Sequence, residues 1–523
     1  MTYKIGLVTP SPQSHRTAEE TLGLGYLSAV LRLNGYDVCV VDGWLESLSV
    51  EEIVEKLSFH GNISMVGMSC YRSNITEAIE VLQAIRKKFG NIPVICGGYG
   101  PTFHEQLFLE SGFDVIVMGE AEHIIVPLAQ ALLSGCGLEK ITGVSFLKGD
   151  KIFRNDRNEP AINLDQLPFP SRENIRSTIG QRNFVHVCTS RGCQAHCGFC
   201  SIFSFAKGVP GKNYWRHRSV GNIVDELRYL HEHFGVTNFK FVDDSFIEPP
   251  RDALWVEQFR REISKHSLSI KFRTQVRADR LNSDIVRGLK EAGWFSTSVG
   301  VENFSDTALR RMAKSASKAD NFVAIELLSA EKIYTQMGMI LFDPYTTISE
   351  LFENLIFLKK YWWPITKGIF TEMYAADGTV FTKKLEKRGL LQRDTVMQNH
   401  VYTVQDILAR RVYFMLKVWH RSHSAVYDWV IDSLTAPKVL KVGDYEAVYA
   451  LYRKLQSADI EFFDGVLAHV TGVEGGESDS AYVESSIKLS SHMYFECKRE
   501  IEEIYKNNQL FYRAVPNPFL GSD

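Results

Sequence analysis

Nowhere does the chain hold an uninterrupted apolar run of about 18 residues, so no membrane span is expected. Nor is there a basic surplus. Lys and Arg number 59 against 62 Asp and Glu, a formal charge of -3, which leaves no reserve of cations to neutralise a nucleic-acid backbone. The amino terminus passes straight into the apolar stretch 4–9 and lacks the layout of a signal peptide. Cysteine is sparse, with nine in 523 residues, which is no disulfide scaffold. Cys39, Cys70, Cys96, Cys136, Cys188 and Cys497 are scattered and read as buried thiols, so a reducing cytoplasm is expected. What remains is the composition of an ordinary globular protein, 45% apolar, with length enough for about two to four domains.

The other three cysteines stand together. Cys193, Cys197 and Cys200 follow a C-x3-C-x2-C spacing just after the apolar run 184–188, which reads as a strand. One short loop of this kind aims three thiolates at a common centre. Three sulfurs are one short of a closed tetrahedral zinc site or a fully ligated cubane. On the residues alone three readings stay open: a cluster with one open iron, a zinc site with His196 or His186 as fourth ligand, or three unrelated core thiols.

Around this loop the chain alternates strand and helix. Strands are expected at 4–9, 37–41, 64–69, 94–96, 115–117 and 143–147, with helices over segments such as 21–33, 50–59 and 75–89. Such alternation with short turns gives a doubly wound parallel sheet with ligands at the carboxyl ends of its strands. Those ends hold Thr9, then Ser69, Cys70, Tyr71 and Arg72, then Gly97, Gly98 and Thr102, then Gly119 and Glu120. Two glycines after a strand allow close backbone approach to a ligand, and Thr102 is placed to cap the next helix. A charged stretch at 151–183 with Pro168 and Pro170 reads as a linker. Strands are expected again at 184–188, 238–242, 269–274, 295–301, 334–341 and 368–374, with helices near 219–233, 252–265, 283–291, 319–329 and 348–360. Residues 391–523 read as helical, over 404–419, 426–434, 445–457 and 482–507, with a Gly, Ser and acid-rich loop at 472–480.

The cysteine spacing, with Phe199 just before Cys200 and Arg191-Gly192 ahead of it, resembles the cluster loop of the radical S-adenosylmethionine (SAM) enzymes that also bind cobalamin (B12). The glycine turns of residues 1–150 are similar to the cobalamin domain that precedes the cluster domain in that group. The resemblance implies an α/β architecture. Residues 1–150 would form a Rossmann-like cobalamin-binding domain, 151–183 a linker, 184–390 a partial (β/α)6 radical SAM barrel and 391–523 a helical cap. It also implies three cofactors: a 4Fe-4S cluster on Cys193, Cys197 and Cys200, SAM on its open iron, and cobalamin at Thr9, Ser69, Tyr71, Arg72, Gly97, Gly98, Thr102, Gly119 and Glu120. The D-x-H-x-x-G signature that supplies a cobalt-ligating histidine in many corrinoid proteins is absent, and the loop 70–74 stands there instead.

By the same resemblance Asp243 and Asp244 would hold the SAM amino group, and Arg277 its carboxylate. Ser298 and Glu302 fall at the ribose position, and Gly338 where adenine packs. The sixth-strand motif carries Asp377 in place of proline. Taken singly, Asp243 and Asp244 would equally suit a magnesium site or a solvated turn, and Glu302 and Arg277 a structural salt bridge. The activity implied is reductive cleavage of SAM to a 5'-deoxyadenosyl radical and methylation, through methylcobalamin, of an unactivated carbon of a small natural-product-type molecule. A flavodoxin- or ferredoxin-type protein would donate the electron. The alternatives are a cobalamin-dependent cyclase or ring rearrangement and, more distantly, a corrinoid sensor with a structural cluster.

Overall fold

A computed structural model describes residues 3–12, 20–157, 161–182, 184–206, 214–393, 400–435, 440–472 and 478–508. The chain forms two compact units. One draws on Met1–Gln194 and Ile202–Val236, the other on Ala195–Ser201 and Thr237–Ala514.

In the first unit β1 (Lys4–Thr9), β2 (Asp37–Asp42), β3 (Met65–Ser69), β4 (Val94–Gly97), β5 (Val115–Val117), β6 (Val144–Lys148) and β7 (Lys151–Arg154) form one sheet in the order β2-β1-β3-β4-β5-β6-β7. β1 to β5 are parallel. Such strands must be apolar on both faces because helices cover both. Val8, Val66, Cys96 and Ile116 pack towards Leu57, Val81 and Ile85, while Ile5, Leu7, Ile95 and Val117 pack towards Leu24, Leu31 and Leu128. Helix Val50–Phe59 is opened by a reciprocal cap between Ser49 and Glu52. The order reverses at β1, which opens a crevice at the carboxyl ends of β1 and β3.

Two expectations fail here. The sheet is not wholly parallel, since β6 runs antiparallel to both β5 and β7. Residues 151–154 are not linker but the edge strand β7. The cause is local: Gly149, at φ +61°, and Asp150 make a two-residue turn that folds the chain back on itself. This unit also holds β8 (Val185–Val187), β9 (Ser190–Gly192), antiparallel to β10 (Trp215–His217), and the helix Val220–Phe234.

The second unit is built on parallel strands β11 (Asn238–Phe241), β12 (Lys271–Arg277), β13 (Trp294–Glu302) and β14 (Tyr334–Met339). Helices Ala253–Lys265, Ser283–Glu291, Lys318–Ala330 and Ile348–Lys360 follow them in turn. One strand face is apolar and helix-covered: Phe241 stacks on Phe272 at 4.9 Å between ring centres, with Phe259 of the first helix against both. The opposite face is polar.

The sixth strand expected at 368–374 is not a strand. Isolated parallel bridges at Ile365 and Glu372 are all that forms. Its backbone bonds to residues 341–342, Thr371 O accepting from Leu341 N and Phe342 N at 3.0 Å and Met373 N donating to Phe342 O at 2.8 Å, and side chains of the helix Val442–Thr471 hold its start and the residues before it. Tyr449 Oη donates to Trp363 O at 2.8 Å, and Tyr452 Oη accepts from Thr366 N at 2.7 Å and donates to Pro364 O at 2.9 Å. Asp459 Oδ2 accepts from Ile369 N at 3.1 Å.

Helices Ile407–Thr435, Val442–Thr471 and Asp479–Asn507 complete the unit. The two helices expected over 404–419 and 426–434 are one, because 420–425 contains neither Gly nor Pro to stop it. Most of the loop at 472–480 lies outside the described residues. Among the described residues no helix is long and apolar enough to cross a membrane.

Candidate active site

Thr9, Ser69 and Asn74 come together at the crevice of the first sheet. Thr9 Oγ1 donates to Ser69 O at 2.8 Å across the reversal point, and Asn74 Nδ2 donates to Pro10 O at 2.9 Å. Tyr71, 36% exposed, stands edge-on to Trp44 at 5.1 Å. Arg72 opens a single turn of 3-10 helix, Arg72–Asn74. Gly98 sits at φ +103°, and a Cβ there would lie 2.6 Å from Cys70 O, so only glycine lets the ends of β3 and β4 approach this closely. Gly97 and Gly119 (φ +75°) end the neighbouring strands. Thr102 does not cap a helix. It lies within the short helix Tyr99–Phe103, donating to Gly98 O at 2.7 Å and accepting from Gly119 N at 3.3 Å, which ties two of the turns together. Bare backbone and small residues at these strand ends make a lining that fits a flat, polar-edged ring such as a corrin.

Glu120 takes a different role from the one expected. Its carboxylate pairs with Arg216 and Arg191, and Glu122 accepts from Arg191 at 2.6 Å. Burial opposes ionisation of Glu120, but the two guanidinium groups outweigh it and hold the carboxyl below its usual range. Arg191 immediately precedes Gly192, so these acids anchor the start of the cysteine loop. At Gly192 (φ +85°) any Cβ would collide with the Tyr214 carbonyl, and Cys193 N donates to that same oxygen at 3.1 Å.

The later part of the loop belongs to the second unit. Gly198 N donates to Met312 O at 2.8 Å, and Gly198 O accepts from Phe381 N at 2.8 Å. Phe199 packs against a core of Met373, Ala375, Phe381 and Tyr402. Cys193, Cys197 and Cys200 are all reduced and half-buried. Among the described residues no three His, Cys, Asp or Glu side chains form a ready set for a single ion. Three half-buried thiols on one short loop are a donor set that fits a 4Fe-4S cluster with a fourth position left to another ligand.

At the strand ends Glu302 adopts φ +66° and pairs with Lys314 at 3.1 Å. Burial lowers the lysine, but Glu302 and Cys197 outweigh it and the net shift is upward. Burial likewise pushes the Cys197 thiol up, against Lys314 and Arg277 and together with Glu302 and Asp279. One cluster cysteine thus shares an electrostatic neighbourhood with the ends of β12 and β13. Gly300 and Gly338 flank the Glu302 carboxylate, whose Oε1 lies 2.8 Å from where a Gly300 Cβ would be.

Arg277 pairs with Asp279, not Glu302, through two bonds of 2.9 and 2.5 Å, and donates to Ser315 Oγ at 2.6 Å. Ser298 accepts from Arg273 at 2.7 Å. Asp243 is turned to the helix side, where it faces the equally buried Arg251 at 3.5 Å, while Asp244 is half-buried. Sequence reasoning missed Lys314, Arg273 and Gln336. Lys314 follows a helix that starts just after β13, and a lysine there was a signal within reach.

Comparison with known proteins matches this layout. A family model described as B12 binding domain fits residues 16–129, and one described as Radical SAM superfamily fits 187–355. An uncharacterized methyltransferase of Pyrococcus horikoshii is 28% identical over 369 residues, 68% of this chain and 78% of that protein. An anaerobic magnesium-protoporphyrin IX monomethyl ester cyclase of Synechocystis is 27% identical over 60% of this chain and 62% of its own length. Among solved structures, the cobalamin-dependent S-adenosylmethionine radical enzyme OxsB with aqua-cobalamin bound superposes with a TM-score of 0.77 at 20% identity, over 97% of this chain and 79% of that one. The radical S-adenosylmethionine methyltransferase TsrM of Kitasatospora setae, with cobalamin and a 4Fe-4S cluster, gives 0.66 at 15% identity, over 97% and 99%. With its glycine-turned crevice followed by a three-cysteine loop and parallel strands, this chain belongs to the cobalamin-binding radical SAM enzymes, whose cofactors are cobalamin, SAM and a 4Fe-4S cluster.

Proposed function

We propose that this enzyme methylates an unactivated carbon of a small, natural-product-type molecule. The observation that supports the reading is the alignment of 369 residues, 68% of this chain, with an uncharacterized methyltransferase. A hopanoid C-3 methylase of Methylococcus capsulatus, 24% identical over 64% of this chain, adds support. Bound together, the three cofactors supply a 5'-deoxyadenosyl radical, able to take hydrogen from a carbon that no side-chain base could deprotonate, and a carrier for the methyl group.

The chain's own residues hold and orient. Cys193, Cys197 and Cys200 would hold the cluster, which would supply the electron for SAM cleavage. Lys314 pairs with Glu302, whose backbone is left-handed, and the carboxylate would stand at the ribose position of SAM. Asp244, rather than Asp243 on the helix side, is the better placed acid for the SAM amino group. Arg277 presents a charge already oriented by Asp279. Phe199 and its apolar neighbours keep water from the loop. At the crevice, Thr9, Ser69, Gly97, Gly98, Thr102 and Gly119 line the corrin, and Tyr71 and Arg72 bring the loop that replaces a cobalt-ligating histidine. A flavodoxin- or ferredoxin-type protein supplies the electron.

A second reading, cyclisation, is favoured by the cyclase relative. Anaerobic incubation with methyl-labelled SAM, a reductant and candidate small molecules separates the two. Methylation gives 5'-deoxyadenosine together with label on a product carbon. A ring product without label transfers the reading to cyclisation, and no 5'-deoxyadenosine from any mixture refutes both.

A further inference from the structure

The segment that follows β7 returns to the crevice of the first sheet. Gly143 N donates to Asn155 O at 3.2 Å and Asp156 O at 3.3 Å, and Asn155 N donates to Val144 O at 2.9 Å. Asn155 Nδ2 also donates to Leu138 O at 2.8 Å and Ile141 O at 2.6 Å. Residues 155–156 are thus pinned beside the start of β6, and the Arg157 side chain that comes next has a fixed root. Its stem passes Gly143, where a Cβ would lie 3.3 Å from Arg157 Cγ. Its guanidinium rests on Gly119, where a Cβ would stand 2.5 Å from Arg157 Cζ. Gly119 is the turn at the end of β5 that Thr102 ties to Gly98. A half-buried cation therefore lies on the glycine rim of the crevice, and any side chain at position 119 would displace it.

Charge around this cation does not balance. Glu120 pairs with Arg216 and Arg191, and Glu122 pairs with Arg191. Those two acids and two arginines neutralise one another, and Arg157 is a third cation beside them. Among the described residues no carboxylate lies within ion-pair distance of it; Glu120 and Arg216 are the charges that act on it. A guanidinium has five N–H donors, of which one is used here, Nη1 donating to Phe205 O at a long 3.4 Å. Burial is the largest influence on the Arg157 guanidinium and lowers it, Glu120 raises it, Arg216 lowers it again, and the net shift is downward. A cation so placed gains from an anion that arrives with the ligand.

We propose that Arg157 receives the phosphodiester of the cobalamin nucleotide tail. The side arms of the corrin are neutral amides, and the phosphodiester is the anionic group of its periphery. Its single charge matches the single surplus cation of the rim, and its two free oxygens suit the planar guanidinium fork. Position agrees. Gly119 follows β5, which lies two strands from β3 and so about 10 Å from the reversal point of the sheet. That offset suits the edge of a ring seated at the reversal point, not its centre. Arg157 is then a positioning residue, which holds the ring through its tail without touching the reacting carbon. The inference stands on cobalamin as a cofactor of this chain and holds equally for methylation and for cyclisation.

The test is corrinoid binding to the full-length, cluster-reconstituted protein, titrated anaerobically and read by quenching of tryptophan fluorescence. Three probes separate the parts of the ligand: hydroxocobalamin, cobinamide phosphate, which keeps a phosphate without the base, and cobinamide, which lacks both. Arg157→Gln is expected to weaken hydroxocobalamin and cobinamide phosphate about tenfold or more, and cobinamide by less than about twofold. Retained cobinamide binding shows at the same time that the variant is folded. Arg157→Lys, which keeps the charge but not the fork, should recover part of the loss. Equal weakening of all three probes in both variants marks a contact with the ring or the fold and overturns the proposal. Unaltered hydroxocobalamin binding overturns it too, as does a loss confined to hydroxocobalamin, which would assign Arg157 to the base. Wild-type protein that binds the three probes with one strength refutes this site alone, whereas wild-type protein that binds none refutes cobalamin as the cofactor.

Discussion

Replacing Asp459 by Asn should loosen the segment 363–369 far more than its single-atom change suggests. The Asp459 carboxylate is fully buried and accepts from Trp419 Nε1 at 2.7 Å, His423 Nε2 at 3.0 Å and Ile369 N at 3.1 Å. An asparagine has one acceptor oxygen and one amide nitrogen. With its oxygen turned to Trp419 and His423, its amide meets the Ile369 N–H, and a buried donor left unmatched costs about 1–3 kcal/mol. Loss of the charge-assisted bond to His423 adds about 1–2 kcal/mol. The sum, about 3 kcal/mol, corresponds to a roughly 150-fold rise in local opening. Hydrogen exchange read by mass spectrometry on a peptide spanning 366–371 should accelerate by that order, while β1 of the first unit should not change. Less than about a threefold change would refute the assignment of Asp459 as the support of this segment. The pH dependence has a definite sign. Burial raises the Asp459 carboxyl, but His423 and Trp419 outweigh it and hold it below its ordinary value. Its stabilisation is therefore present above the unfolded value of about 3.9 and lost as pH falls through the depressed folded one. The Asn variant should show a shallower acid limb below about pH 4.

Alanine at Cys193, Cys197 or Cys200 should abolish iron incorporation, whereas Cys188→Ala should retain it; iron analysis after anaerobic reconstitution decides, and full iron in any of the three variants refutes the ligand set. Gly98→Ala forces a side chain into a φ of +103° against Cys70 O and should weaken cobalamin retention at least tenfold by absorbance after gel filtration, with iron content unchanged. Lys314→Met strands the Glu302 carboxylate in a site where its side chain is 15% exposed, at a cost of about 3 kcal/mol. SAM binding should weaken while cobalamin binding does not, and an unaltered SAM titration would show that the pair is not part of that site.

Much of this layout was legible because parallel, doubly covered strands leave so plain a pattern. The mainly apolar run at 4–9 and the apolar run at 115–117 coincide with β1 and β5 to the residue, and the glycines at 97, 98 and 119 fall at or just after strand ends where backbone must approach backbone. Direction was harder. β6 alternates like any strand, and only the Gly149-Asp150 pair, a hairpin signal, told that it turns back. Asp243 and Asp244 look equivalent in sequence, yet the period of two puts them on opposite faces, and Arg251, eight residues on, claims the inner one. The sixth strand misled because the apolar content of 368–374 is real, while its backbone makes only scattered bonds to 341–342 and Ile369 N is taken by the Asp459 side chain 90 residues on. Arg273 carried no local mark, since a cation inside a strand is conspicuous only when the register sets Lys240 beside it.

The way Tyr449, Tyr452 and Asp459 stand in for a missing strand has an engineering consequence. In a closed barrel each strand is completed by its neighbours, and a substrate-binding appendage is exchanged by cutting at a surface loop. Here the last stave of the barrel is held by the appendage itself. A chimera that grafts a foreign cap onto residue 390 would therefore strip this backbone of its hydrogen bonds at Trp363, Pro364, Thr366 and Ile369, and specificity in this scaffold will change hands only when that stave travels with its cap.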